Sequence, residues 1–148
     1  GNKMGVTTAM CTSFKGELLG GTHDLDTNTI KLALIKSGES GTYGAATTNY
    51  SDVTGNSDEA SGTNYSTGGN TLGSATISTS GTTAILDFAD TTFSNATVSA
   101  SGAIIYNSSQ SNKAIAVISF GGTVASTAGD FTVSFPAADA SNAIIRIA

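Results

Sequence analysis

The side chains that could do chemistry in this chain begin with a short acidic cluster. Asp24, Asp26 and Asn28 have the D-x-D-x-N spacing that opens a calcium-binding loop. An EF-hand requires glycine at the sixth loop position and glutamate at the twelfth, where this chain has Thr29 and Ile35. We therefore interpret the cluster as a turn, and keep Asp24 and Asp26 only as weak candidates for an irregular cation site.

The remaining reactive residues do not form a recognisable catalytic set. His23 is the only histidine, and no G-x-S-x-G motif supplies a serine nucleophile for it. Asp87 and Asp90 could form a glycosidase pair, but the chain has no tryptophan for a sugar platform, and acids at strand ends commonly prevent unwanted pairing. Cys11 falls on an apolar stripe and is expected in the core. We predict no catalytic residue, no cofactor and no enzymatic activity.

Composition narrows the partners that we expect. The 148-residue chain carries a net charge of −5, which disfavours phosphate binding and predicts no nucleic-acid partner. Its apolar runs reach about five residues, against the roughly 20 that span a bilayer, so no membrane partner is expected. The length predicts one domain over residues 4–148, with residues 1–3 a remnant of cloning before Met4.

The pattern at the start of the chain predicts one short helix, at about residues 7–19. Met10, Phe14 and Leu18 recur at helical spacing, and Gly20 and Gly21 follow as a stop signal. The stripe would cover one end of a sheet or lie against a neighbouring subunit. Phe14 and Leu18 are therefore candidates for binding a partner.

Most of the remaining chain has the alternation of half-buried strands. Short runs rich in β-branched residues are separated by Gly, Asn, Asp and Ser turns, and no second helical pattern appears. The runs are 30–36, 71–78, 83–88, 93–99, 102–106, 114–120, 131–135 and 143–148. Seven or eight such strands with one helix predict an all-β fold, an antiparallel β-sandwich or a jelly-roll-like barrel.

Between the first two strands lies a polar segment at about residues 37–70. Unstructured loops longer than about 12–15 residues are uncommon within domains. Tyr43, Tyr50 and Tyr65 each offer a large apolar face with a polar tip, which favours an ordered segment packed on the domain or on a partner. The alternative is a solvated, mobile loop. The three tyrosines are candidate partner contacts, and we expect deletion of 40–66 to abolish binding without loss of the fold.

The ordered set of short motifs resembles a family of small structural proteins in the virions of tailed bacteriophages. The resemblance covers nearly the whole chain from about Phe14. Its motifs are FKGELL (14–19), HDL (23–25), IKLAL (30–34), EASGTNYSTGG (59–69), GAIIYN (102–107), FGG (120–122) and GDFTV (129–133), followed by Pro136.

This resemblance implies a viral structural protein located in the virion. The first expectation is a capsid decoration (cement) protein that binds the phage head non-covalently. It would be a homo-oligomer, with a trimer expected because such proteins often occupy local threefold positions. One alternative is a tail- or fibre-associated subunit that helps adsorption, bound to tail proteins. A further alternative, a carbohydrate-binding module or adhesin, is disfavoured by the missing tryptophan.

Overall fold

The computed structural model describes residues 5–73 and 75–148. The expected cloning remnant, residues 1–3, lies outside the described residues. The elements are β1 (Gly5–Val6), β2 (Ala9–Met10), α1 (Thr12–Leu19), β3 (Ile30–Lys36), β4 (Thr42–Tyr43), α2 (Ser51–Gly55), β5 (Asn70–Thr71), β6 (Thr76–Ser80), β7 (Thr83–Asp87), β8 (Thr91–Asn107), β9 (Lys113–Val133) and β10 (Ile145–Ile147). The all-β prediction is confirmed: strands dominate, and both helices are short.

Two antiparallel sheets build the domain. The larger has the strand order β2-β9-β8-β3-β5 and the smaller the order β10-β7-β6, while β1 and β4 form a separate parallel pair. Leu86 of β7 and Ile145 of β10, both in the smaller sheet, belong to the same buried core as the apolar residues of the larger sheet. The two sheets therefore share one apolar interior, as in a β-sandwich.

Strand β3 shows how deeply the larger sheet is covered. Leu32, Ala33, Leu34 and Ile35 are consecutive and all fully buried. Neighbouring residues of a strand point to opposite faces, so both faces of the sheet are covered at this position. The continuous apolar run IKLALIK is the sequence signal for such a strand.

Strands β8 and β9 are longer than the sequence pattern predicts. Each joins two predicted strands, and their pairing contains register shifts, one of them between Ala100 and Gly102. A Cβ at Gly102 would lie 2.3 Å from the carbonyl oxygen of Ile118. The glycine thus allows close backbone approach at a bulge, and it does not end the strand.

Helix α1 begins later than predicted, at Thr12 instead of about residue 7. Residues 9–10 pair with β9 as a strand, and the N–H of Thr7 donates to Tyr43 O at 2.9 Å. Sheet pairing therefore uses the backbone groups of the residues that precede the helix, and Cys11 takes the N-cap position. Phe14 is the buried residue of this helix.

The 37–70 segment packs on the domain and contains β4 and α2. Asp58 and Ala60 run beside β3, where the Lys36 N–H donates to Asp58 O at 2.7 Å and the Ala60 N–H to Leu34 O at 2.9 Å. Val53 of α2 is fully buried. The segment therefore lies alongside β3 on the same side as β5, and covers residues 34–36 where β5 covers residues 31 and 32.

Candidate docking surface

Two carboxylates anchor the 37–70 segment, and the first is Asp58. This buried side chain accepts hydrogen bonds from Tyr43 Oη, from the backbone N–H of Ser40 at 2.9 Å and from that of Gly41 at 2.8 Å. Burial opposes ionisation of Asp58, but these bonds outweigh it and hold the pKa of the carboxyl below its ordinary value. Burial and the bond to Asp58 raise the pKa of Tyr43 to about 12.

The second anchor is Glu59, which accepts hydrogen bonds from two tyrosines. Tyr50 Oη donates to one carboxylate oxygen, and Tyr65 Oη donates to the other at 2.6 Å. The Gly68 N–H joins them at 2.8 Å, and Tyr50 stacks on Tyr106 with ring centroids 4.4 Å apart. Burial and Glu59 raise the pKa of both Tyr50 and Tyr65. The cluster holds the segment against the sheet.

Three of the five residues predicted as partner contacts lie inside the domain. Phe14, Tyr43 and Tyr65 are buried in the protein's own core. Tyr50 is half-buried, and its hydroxyl donates a hydrogen bond to Glu59. Each tyrosine has an internal carboxylate within reach, which the sequence pattern did not reveal. Leu18 is the exception, because it lines a surface groove.

His23 meets a carboxylate, but its ring is held on both sides. Asn107 Oδ1 accepts from the Ser109 N–H at 3.0 Å, which fixes the orientation of the amide. Asn107 Nδ2 then donates to Asn28 Oδ1 at 2.9 Å and to His23 Nδ1 at 3.0 Å. The His23 Nε2–H consequently donates to Glu17 Oε1 at 3.0 Å. This network ties the end of α1 to the end of β8.

The predicted cation ligands occupy a turn. Asp24 and Asp26 are exposed, and the backbone carbonyl of Asp24 accepts the Asn28 N–H at 2.8 Å. Asn28 Oδ1 is engaged by the Asp24 N–H and by Asn107. Among the described residues, no three His, Cys, Asp or Glu side chains are grouped to hold a metal ion.

Cys11 and Asp90 both interact with their own domain: the Cys11 thiol is buried, and Asp90 accepts a backbone hydrogen bond. Burial, followed by the charges of Glu17 and Asp52, raises the pKa of the Cys11 thiol to about 12, so the thiolate nucleophile is disfavoured. Cys11 lies in the core, as predicted. Asp90 accepts the Phe135 N–H at 3.1 Å beside the end of β9.

Large exposed aliphatic side chains mark a different surface. In the described part of the chain four such residues are strongly exposed, and three of them lie near one another: Leu19 at 92%, Ile77 at 57% and Ile147 at 52%. They border two adjoining grooves of about 150 and 290 Å³, which share Leu18 and Ile147. We define the leucine–isoleucine patch by its accessible members: Leu18, Leu19, Leu25, Ile77, Ala84 and Ile147.

The patch has the character of a protein-docking surface. The walls of both grooves are almost wholly apolar, with few of the polar groups that orient a small-molecule ligand. Lys15 and Arg146 stand at its rim, although the chain as a whole is acidic. A partner with apolar side chains flanked by acidic ones would complement it.

A second surface, separate from the patch, is a groove of about 380 Å³ that lies along β9; we call it the second groove. Its walls include Ile118, Phe120 and Val124, the fourth exposed aliphatic residue. Hydroxyl-bearing residues interrupt this lining, and Val124 is its one strongly exposed aliphatic side chain. We therefore take the leucine–isoleucine patch as the main candidate.

Sequence reasoning missed most of this patch. The sequence pattern places Leu19 beside the helical stripe and Ile147 in the last strand, and it marks neither residue as exposed. One signal for the patch was present: Leu18 and Leu19 are adjacent, so a short helix cannot bury both.

Comparison of the chain with protein-family models, curated proteins and solved structures gives no match. No helix in the described residues is long and apolar enough to cross a membrane.

Proposed function

We propose that this protein is a structural subunit of a tailed-phage virion, acting as a decoration protein that docks non-covalently on the head. Two observations support the proposal: the ordered motifs that resemble phage virion proteins, and the leucine–isoleucine patch. The patch carries more weight, because it places Leu19, Ile77 and Ile147 in water on one side of a well-packed domain. Contiguous exposed apolar surface of this kind marks an interaction site.

A phage head offers many equivalent binding positions, so a patch of this modest size can hold the subunits on its surface. A subunit that binds many equivalent positions needs only a modest interface at each one, and contacts between neighbouring subunits add to the overall affinity. Occupancy of the patch would remove three large aliphatic side chains from water in every copy. The basic rim at Lys15 and Arg146 would favour positions on the head where acidic side chains surround an apolar contact.

The test is binding of the purified chain to phage heads that lack it, measured by co-sedimentation. We expect the double variant Leu19→Ser/Ile147→Ser to weaken binding at least tenfold, about 1.4 kcal/mol per site. Both side chains are exposed, so the variant should unfold at nearly the wild-type temperature.

Matched controls locate the surface. Thr123→Ser changes an exposed residue of β9 outside the patch and should bind like the wild type. Val124→Ser tests the second groove and should also bind normally. Binding that is lost only with Val124→Ser would reject the patch, and wild-type chain that labels tails instead of heads would place the subunit on the tail.

A further inference from the structure

The smaller sheet ends in an uncovered edge strand. β6 is the last strand in the order β10-β7-β6, and all five of its residues are exposed. No described strand pairs with its outer side. An edge of this kind offers a row of backbone N–H and C=O groups to another strand.

The hairpin geometry identifies which backbone groups point outward. β6 and β7 are joined by Gly81 and Thr82, with Gly81 at φ +59°, as in a two-residue type II′ turn. Ser80 and Thr83 close this turn and exchange hydrogen bonds, so bonded and non-bonded pairs alternate from there. Ile77 and Thr79 fall in the non-bonded pairs, and their backbone groups point away from β7.

This edge is complementary to itself. If two copies of β6 pair antiparallel about a two-fold axis at Ser78, Ile77 of each copy stands opposite Thr79 of the other. Each of the two residue pairs then exchanges two hydrogen bonds, which gives four across the seam. In this register both outward-pointing residues of β6, Ile77 and Thr79, meet an outward-pointing residue of the other copy's β6.

The side chains of β6 carry none of the features that block such pairing. The strand reads TISTS, with no charge and no proline, and its register with β7 is unbroken. Natural edge strands are commonly protected by lysine, proline or a bulge. The net charge of −5 is carried elsewhere in the chain, so no like charges would meet at the seam.

Pairing would also extend the apolar surface across both copies. In the smaller sheet Ile77, Leu86 and Ile145 stand side by side, as do Thr79, Ala84 and Ile147. Two-fold pairing places the first row of one copy against the second row of the other. The two leucine–isoleucine patches would become neighbours on one six-stranded sheet.

The opposite edge of the sheet is less suited to pairing. β10 has three residues, and its central Arg146 donates to the carbonyl oxygens of Ala140 and Ser141 in the adjacent turn. Head-to-tail pairing of β6 with β10, one way to build the trimer expected from the sequence, would have only this three-residue strand with its charged central residue to pair with. The observations therefore favour the two-fold arrangement.

We propose that β6 is a self-association edge, through which two copies of this chain form an isologous dimer with one continuous six-stranded sheet. The pairing uses backbone groups of Ile77 and Thr79. It goes beyond the proposed virion function and does not depend on it, because the test is made on the purified chain alone.

Sedimentation equilibrium of wild type and Thr79→Pro tests this edge. Proline at 79 removes an outward N–H in each copy and should leave the bonds between β6 and β7 in place. At concentrations up to about 1 mM, where even a Kd of about 100 µM leaves most chains paired, we expect twice the 14.7 kDa chain mass for the wild type. For Thr79→Pro we expect the Kd to rise at least tenfold.

Thr79→Val is the matched control, because it changes the same side chain and keeps the N–H; it should dimerise like the wild type. Circular dichroism and the unfolding temperature establish that Thr79→Pro is folded. If it is unfolded, Thr79→Lys replaces it, since two lysines near the seam would repel. A monomeric wild type, a trimer, or a dimer unaffected by the folded blocking variant would overturn the proposal.

Discussion

At the scale of single residues, the polar chemistry of this protein serves its architecture. Asp58 and Glu59 are adjacent, and between them they accept hydrogen bonds from three tyrosines. The sequence shows the tyrosines and the acids but not their pairing, because partners separated by up to 15 residues meet only when the segment folds against β3. In the fold the three hydroxyl groups bind carboxylates of the same segment, so the tyrosines hold that segment on the domain.

Asp58 gives this network a dependence on pH. The pKa of Asp58 is lower in the folded protein than its ordinary value of 3.8. Its contribution to the free energy of unfolding is therefore fully present above pH 3.8, and it is lost as the pH falls through the pKa of the folded state. We expect Asp58→Asn to lower the free energy of unfolding at pH 7 by about 2 kcal/mol. The amide keeps only one acceptor oxygen, and its NH2 group would face donors that now bind the carboxylate, the Ser40 N–H on one oxygen or the Gly41 N–H and Tyr43 hydroxyl on the other. The difference from the wild type should shrink below about pH 4.

Chemical denaturation across pH measures this effect. Asp26→Asn is the control, since Asp26 is exposed and should change the free energy of unfolding by less than about 0.5 kcal/mol. Equal stability of Asp58→Asn and wild type at pH 7 would show that the Asp58 network does not stabilise the fold.

Gly69 shows how a residue type can be visible in the sequence while its reason is not. The Gly68-Gly69 pair does not lie between a strand and a helix, so it predicts no phosphate site. In the fold, Gly69 has φ +78°, and a Cβ there would stand 1.8 Å from the carbonyl oxygen of Leu32. The glycine allows the chain to pass directly over β3.

At the scale of elements, local pattern predicts strands well and their limits less well. The bounds of β3 agree with its apolar run, 30–36, because that strand is buried along its length. Gly102 and Gly121 look like strand ends in the sequence, yet β8 and β9 continue through them. Whether a glycine ends a strand or allows a bulge depends on the partner strand opposite it. That strand lies elsewhere in the chain, so the local sequence does not distinguish the two cases.

The 37–70 segment is the element whose role changes most. The sequence predicts that its deletion leaves the fold intact, but Val53, Asp58, Ala60 and Tyr65 are buried in the structure. Deletion of 40–66 should therefore abolish the cooperative unfolding transition followed by circular dichroism.

Tyr65→Phe provides a graded companion to the deletion. It removes the hydroxyl that donates to Glu59 and accepts the Leu34 N–H, and should cost about 1–3 kcal/mol. A deletion variant with a wild-type transition would contradict the account of this segment as part of the core.

At the scale of the whole molecule, the protein combines a closed interior with an open apolar side. The β3 and β8 strands bury their aliphatic residues almost completely, whereas Leu19, Ile77 and Ile147 stay in water on one side. The sequence predicts the fold class from its periodicity, but the patch arises where α1, β6 and β10 meet. That meeting depends on sheet order, which no local pattern specifies.

The central proposal is that this molecule docks its leucine–isoleucine patch on a phage head. Cryo-electron microscopy of phage virions to which the purified chain has been added tests this proposal most directly. The account predicts density for this domain at regular positions on the head, with α1 and β10 facing the shell and Leu19 and Ile147 in contact with it. Virions without such density, or with the patch turned toward solvent, would contradict the account.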